Sequence, residues 1–233
     1  MHPITIRRNR LETTQHVGIV GQPGEWWGPQ NTLTVLDIDD GNARYVIEEN
    51  LLLATGVTGL KLGHIVDDMT VRNNIVVGRK GPRMAGEDRG DISSRMDLIG
   101  FNIGNQCMEN TMNASNNLIV NMDGGVMKTS NFGGGFGAPG MDQTKARAAW
   151  YLNKTPKPTT MDYNVYWSQG GSVRMLPNQT AAQDLLGLDV HSLIGTEDPL
   201  LDLSDLSAVH VREGSPALRL GFHNFAYGPR GRW

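Results

Sequence analysis

Cysteine is nearly absent: the 233-residue chain carries one, Cys107, which excludes an intrachain disulfide framework and any cysteine-built metal centre. An excess of one charge is also missing. The 21 basic and 24 acidic residues are interspersed and leave a net charge of −3, which argues against nucleic acid or an anionic membrane surface as main partner. No apolar run is long enough to span a bilayer, and the opening stretch MHPITIRRNR lacks the apolar core of a secretion signal. His16, His191, His210 and His223 follow no ligand spacing. Long helical periodicity is lacking too, while the 29 glycines and many asparagines favour an all-β chain over a doubly wound α/β sheet.

What the chain has is a recurring phrase, apolar alternation running into an asparagine and out again. It reads ITIRRNRL around Asn9, YVIEENLL around Asn50, MTVRNNIV around Asn74, NASNNLIV around Asn117 and TMDYNVYW around Asn164. Alternation predicts half-buried strands, and the asparagines are expected to take the left-handed conformation of a sharp turn. The intervals of 41, 24, 43 and 47 residues imply a shortest bare coil. Longer intervals then hold a coil plus an insertion, or two coils with one turn unrecognised. The whole chain, 1–233, is thus expected to form one solenoid domain with asparagines stacked at one corner. The first coil starts almost at Met1 with no amphipathic segment to cover it. Either the domain is the C-terminal part of a longer structure, or that end associates with a partner or with itself.

A second small repeat follows the turns: Gly18–Gly21, Gly59–Gly63 and Gly100–Gly104, each a short strand bounded by glycine. With Leu60, Leu62, Phe101 and Ile103 inward, Lys61 and Asn102 project outward from one sheet. Gly124–Met127 is a weaker continuation. Three insertions break the regularity. Gln22–Asn42 contains PGEWWGPQ and a candidate hairpin TLTVLDIDDG; Arg79–Arg95 is RKGPRMAGEDRGDISSR; Asn131–Thr160 contains a glycine run and a candidate helix DQTKARAAWYL. Placed beside the glycine-bounded strands, they would wall a groove over that sheet.

Near the C-terminus, Ser215 before Pro216 predicts a capped helical turn, SPALRLG, ended by Gly221. The phrases DPLL and SPALRLGF, preceded by DYNVYW, resemble the closing coils of bacterial right-handed parallel β-helix proteins of the pectin-lyase-like superfamily. The resemblance covers Asp162 to Phe222, and loosely Ile4 to Val120. It implies a right-handed parallel β-helix, secretion or a periplasmic location, and a polysaccharide or oligosaccharide partner. Glycoside hydrolases and polysaccharide lyases both belong to the superfamily. The Gly-His-Gly and Arg-Ile-Lys motifs of polygalacturonases are missing here, which departs from that activity.

Hydrolysis of a glycosidic bond needs two carboxylates across it. The richest supply is Glu87, Asp88, Asp91 and Asp97, with Arg89 and Arg95 placed to tune them or to hold substrate; the plainer reading of that run is a solvated loop. Trp26 and Trp27 offer aromatic faces for sugar rings, or a plug onto the wall of the solenoid. Lys61 is the candidate base for β-elimination of a uronate, assisted by His64, although an ordinary surface lysine reads the same. The expectation is a hydrolase, with a lyase and a non-catalytic glycan-binding or assembling solenoid as alternatives. No histidine metal site is expected. Calcium is the one candidate ion, on the runs Asp37, Asp39, Asp40 and Asp67, Asp68, which serve equally as turn residues.

Overall fold

The computed structural model describes residues 3–14, 34–38, 44–55, 58–62, 69–79, 100–101, 112–122, 126–130, 160–176, 187–195 and 197–228. Its strands come in triplets. The first is β1 (Ile4–Arg7), β2 (Arg10–Thr14) and β3 (Thr34–Ile38); the second is β4 (Tyr45–Glu48), β5 (Leu51–Thr55) and β6 (Thr58–Leu62). The third is β7 (Met69–Arg72), β8 (Ile75–Arg79) and β9 (Gly100–Phe101). The fourth is β10 (Met112–Ser115), β11 (Leu118–Asn121) and β12 (Val126–Ser130). The fifth, β13 (Thr160–Asp162), β14 (Val165–Ser168) and β15 (Ser172–Leu176), leads to β16 (Leu193–Ile194).

Strands of one triplet pair in parallel with their counterparts in the next. The orders are β1-β4-β7-β10-β13, β2-β5-β8-β11-β14-β16 and β3-β6-β9, with β12-β15 as a separate pair. The chain is therefore all-β with parallel sheets. Each interval between turn asparagines is one triplet with its insertion, and no turn was skipped between Asn9 and Asn164.

The turn chemistry differs from expectation by one residue. The left-handed backbone belongs to Arg8, Glu49, Asn73, Asn116 and Tyr163, each just before a turn asparagine, with φ between 53° and 58°. The bend is made one position early so that the asparagine itself points inward. Its side-chain amide then bonds along the stack. Nδ2 of Asn9 donates to Oδ1 of Asn50 at 3.0 Å, Asn50 to Asn74 at 3.0 Å, Asn74 to Asn117 at 2.9 Å and Asn117 to Asn164 at 3.0 Å. Each backbone N–H in this series donates to the same oxygen. A buried amide satisfied on all sides avoids the penalty that makes buried asparagine rare, and aligned dipoles reinforce one another.

Three residues before each ladder asparagine and two after it, side chains point into the interior. These are Ile47 and Leu52, Val71 and Val76, Ala114 and Ile119, Met161 and Tyr166, all buried, with Leu60 entering from β6. A second apolar cluster lies on the outer face of the β2-β5-β8 stack: Leu51, Leu53, Ile75, Val77, Leu118, Val120 and Val165. Both faces of these strands are buried, so LLLAT, IVVG and LIV read as unbroken apolar runs rather than as clean alternation.

The outer cover is the C-terminal segment. It forms the antiparallel pair β17 (Leu201–Asp202) and β18 (His210–Val211), then the helical turn α1 (Pro216–Arg219), with Val209, Val211, Ala217 and Phe222 in the outer cluster. Ser215 caps α1 as expected, its Oγ accepting from Ala217 N–H, and Gly221 follows at φ +96°. Beyond it the chain runs back across the left-handed corners. Leu220 O accepts from Asn116, His223 exchanges two hydrogen bonds with Asn73, and Gly228 N–H donates to Arg8 O at 2.9 Å.

One detail corrects the expectations. The stretch TLTVLDIDDG is not a hairpin: its TVLDI part is the single strand β3, paired in parallel with β6. Of the glycine-bounded strands, β6 and β9 share a sheet as expected, with Lys61 opposite Gly100 and Leu62 opposite Phe101. Gly18–Gly21, Gly104 and the candidate helix of the third insertion lie outside the described residues.

Candidate functional site

The β3-β6-β9 sheet carries the one predicted catalytic residue that the structure describes. Lys61 sits in the central strand, its Cα paired with Asp37 of β3 on one side and Gly100 of β9 on the other. Glu87, Asp88, Asp91, Asp97, Arg89, Arg95, Trp26, Trp27, His64 and Asn102 lie outside the described residues, as do Asp39, Asp40, Asp67 and Asp68.

Connectivity still says where their segments attach. Residues 15–33, with Trp26 and Trp27, lead into the N-terminal end of β3. Residues 80–99, with Glu87, Asp88, Arg89, Asp91, Arg95 and Asp97, lead into the N-terminal end of β9. The strands are parallel and separated by β6, but their starts are staggered: Thr34 lies level with Thr58, whereas Gly100 lies level with Lys61, three residues further along β6. With about 4.8 Å between neighbouring strands and about 3.3 Å rise per residue, the two attachment points are about 14 Å apart. The C-terminal ends are level: Asp39, Gly63 and Asn102 are the next residues after the register Ile38–Leu62–Phe101.

Three other polar groupings stand among the described residues. Glu49, nearly buried, takes a bidentate contact from Arg7 at 3.1 and 3.0 Å, one from Arg8 at 2.6 Å, and His223 Nε2 at 3.2 Å. The Arg7 hydrogen bonds, aided by Arg8 and His223, hold its carboxyl down at about 2 against the cost of burial. Glu48 beside it pairs with Arg7 and Arg72. These carboxylates are fully engaged in joining corners and tail, which suits structure rather than acid–base work.

The second grouping closes the ladder. Asp189, 1 % exposed, accepts from Asn164 Nδ2 at 3.2 Å and Ser192 Oγ at 2.7 Å, and faces Tyr166 Oη at 3.3 Å. Burial and that carboxylate push the Tyr166 hydroxyl well above its usual range, so it stays a donor.

The third is exposed. Asp162 Oδ2 lies 2.6 Å from His191 Nδ1, and Asp162 Oδ1 accepts from the His191 and Tyr163 backbone N–H groups. Register explains why the rings of Tyr163 and His191 stack, with centroids 5.1 Å apart and planes at 6°. Val165 pairs with Leu193, so the residues two earlier also lie one above the other. A carboxylate on Nδ1 orients an imidazole with Nε2 outward, as in acid–base dyads. Sequence reading left His191 among the scattered histidines; the spacing from Asn164 to Ser192 was the signal for the pairing.

Near the end of β2 a pocket of about 30 Å³ lies between Glu12, Thr55, Arg79 and Leu206, large enough for a water molecule only. Among the described residues no cluster of metal-ligating side chains is found, and no helix is long and apolar enough to cross a membrane. The chain matches no protein family, no curated protein and no solved structure.

Proposed function

We propose that the parallel sheets wind as one right-handed β-helix and that the protein is an exported glycoside hydrolase acting on a plant or algal polysaccharide. The glycan lies along the outer face of β3-β6-β9. The observation that carries this reading is that the tryptophan segment enters β3 and the carboxylate segment enters β9, on either side of the Lys61 strand. In this reading an acid and a base drawn from Glu87, Asp88, Asp91 and Asp97 flank the scissile bond. Trp26 and Trp27 stack on sugar rings, and Arg89, Arg95, His64 and Asn102 hold hydroxyls or carboxylates.

The placement of Lys61 favours one second reading, a uronate lyase with its amine as base. Incubation with a panel of plant and algal polysaccharides separates the two. Reducing ends without ultraviolet-absorbing product, lost in a carboxylate-to-amide variant at one of the four positions, support the hydrolase. Unsaturated product that disappears in Lys61→Ala supports the lyase. Glycan binding without cleavage leaves a non-catalytic binding protein, and neither binding nor cleavage removes the polysaccharide reading.

A further inference from the structure

We propose that the N-terminal edge of the stack is an interaction surface that accepts one further extended polypeptide segment, paired in parallel with β1 and β2 and carrying an asparagine over Asn9. β1 and β2 are the outermost strands of their sheets. Ile4 N–H donates inward to Arg44 O, so strand alternation turns the amides of Thr5 and Arg7 to the open edge. The interior is open there as well. Ile6 and Leu11 are only partly buried, and Ile4 is 48 % exposed, whereas their successors Ile47 and Leu52 are 0 % exposed.

The ladder decides what the occupant must be. From Asn50 onward each Nδ2 donates both to the next corner's side-chain oxygen and back to a backbone carbonyl of the preceding triplet. The Oδ1 of Asn50, Asn74, Asn117 and Asn164 accepts from the N-terminal side. Asn9 Nδ2 is committed to Asn50 and Arg7 O, so its Oδ1 is the acceptor left facing the edge, and no described residue donates to it. A second copy does not suit this edge. Stacked head to head, two acceptor oxygens would meet; stacked head to tail, the amide of Asn164 is already taken by Asp189. The fitting partner supplies an amide donor, an apolar residue three positions before it and another two positions after it. That is the spacing of Ile47, Asn50 and Leu52, and of Val71, Asn74 and Val76. This is strand addition with side-chain specificity at one corner.

The test uses the full chain and a labelled synthetic peptide, RYVIEENLLLAT, the chain's own residues 44–55. Anisotropy should report saturable one-to-one binding, weakened at least about tenfold when the peptide's asparagine is replaced by leucine, the loss expected for one buried hydrogen bond. The peptide variant leaves the folded chain untouched. Absence of binding, or equal binding of both peptides, overturns the proposal. So does slow hydrogen exchange at Thr5 and Arg7 in the chain alone, which would mean its own residues cover the edge. Sedimentation as a dimer that Ile4→Lys dissociates would assign the surface to a second copy instead, and equally overturn it.

Discussion

At one end the asparagine ladder stops against the carboxylate of Asp189; at the other it stops at the amide oxygen of Asn9. The first end is closed. Asp189 accepts from Asn164, Ser192 and Tyr166 at once, and Leu188 beside it is 3 % exposed. The second leaves Ile6 and Leu11 partly uncovered. The difference shows that a stack of parallel strands has no intrinsic stopping point: it ends where a residue accepts the last donor and offers none in return. Asp at the corner does that, and Asn does the opposite, because its amide donates onward as well as accepting.

The largest effect should come from breaking the ladder between these ends. Asn117→Leu removes the acceptor of both the Asn74 N–H and its Nδ2, and the donor to Val71 O, all in a dry interior. Orphaned buried groups cost about 1–3 kcal/mol each, so a loss of roughly 4 kcal/mol in denaturant titration is expected, enough to unfold a marginal domain. Asp189→Ala ranks next, at about 3 kcal/mol, because it strands Asn164, Tyr166 and Ser192 together. A melting temperature unchanged in that variant would show that the closed end does not depend on the carboxylate.

The third test is a pH series with Glu49→Gln. Glu49 titrates at about 2 in the folded chain, below its ordinary 4.5, so its contribution is present above about pH 4.5 and is lost as pH falls toward 2. The variant should melt lower than the parent at pH 7, with the gap closing as the pH is brought down through that window. A constant gap would mean that packing, not charge, holds the tail against the corners. The smallest effect is expected at the open end: Asn9→Ala should cost no more than about 1 kcal/mol, since water reaches the groups it leaves. A loss as large as that of Asn117→Leu would show that Asn9 is as enclosed as the ladder's middle.

Much of the scaffold was legible in the residues. Asn9, Asn50, Asn74, Asn117 and Asn164 were readable as one stacked corner, because a small polar residue recurring between apolar strands needs a partner of its own kind. The sixth corner was missed, since Asp189 and Ser192 fill the place of an asparagine and share none of its phrase. The third sheet was legible in part. GLKLG and GFNIG were rightly placed in one ladder, but β3 was hidden inside an insertion, and a strand of five residues has no signature apart from its partners. For the candidate site, sequence supplied residue types alone. The structure adds the position of Lys61 between β3 and β9 and the entry of two insertions into those flanking strands.

The sequence by itself determined the strand period, the asparagine corners and the capped turn at Ser215, because each rests on neighbours within a few residues. Only the tertiary structure decided the register between triplets, the doubly buried second sheet, the path of the tail over Asn73, Glu49 and Arg8, and the meeting of Asp162 with His191. Those pairings join residues 24 to 220 positions apart or depend on how two faces are shared, and no local spacing encodes a contact that exists only once the chain has stacked.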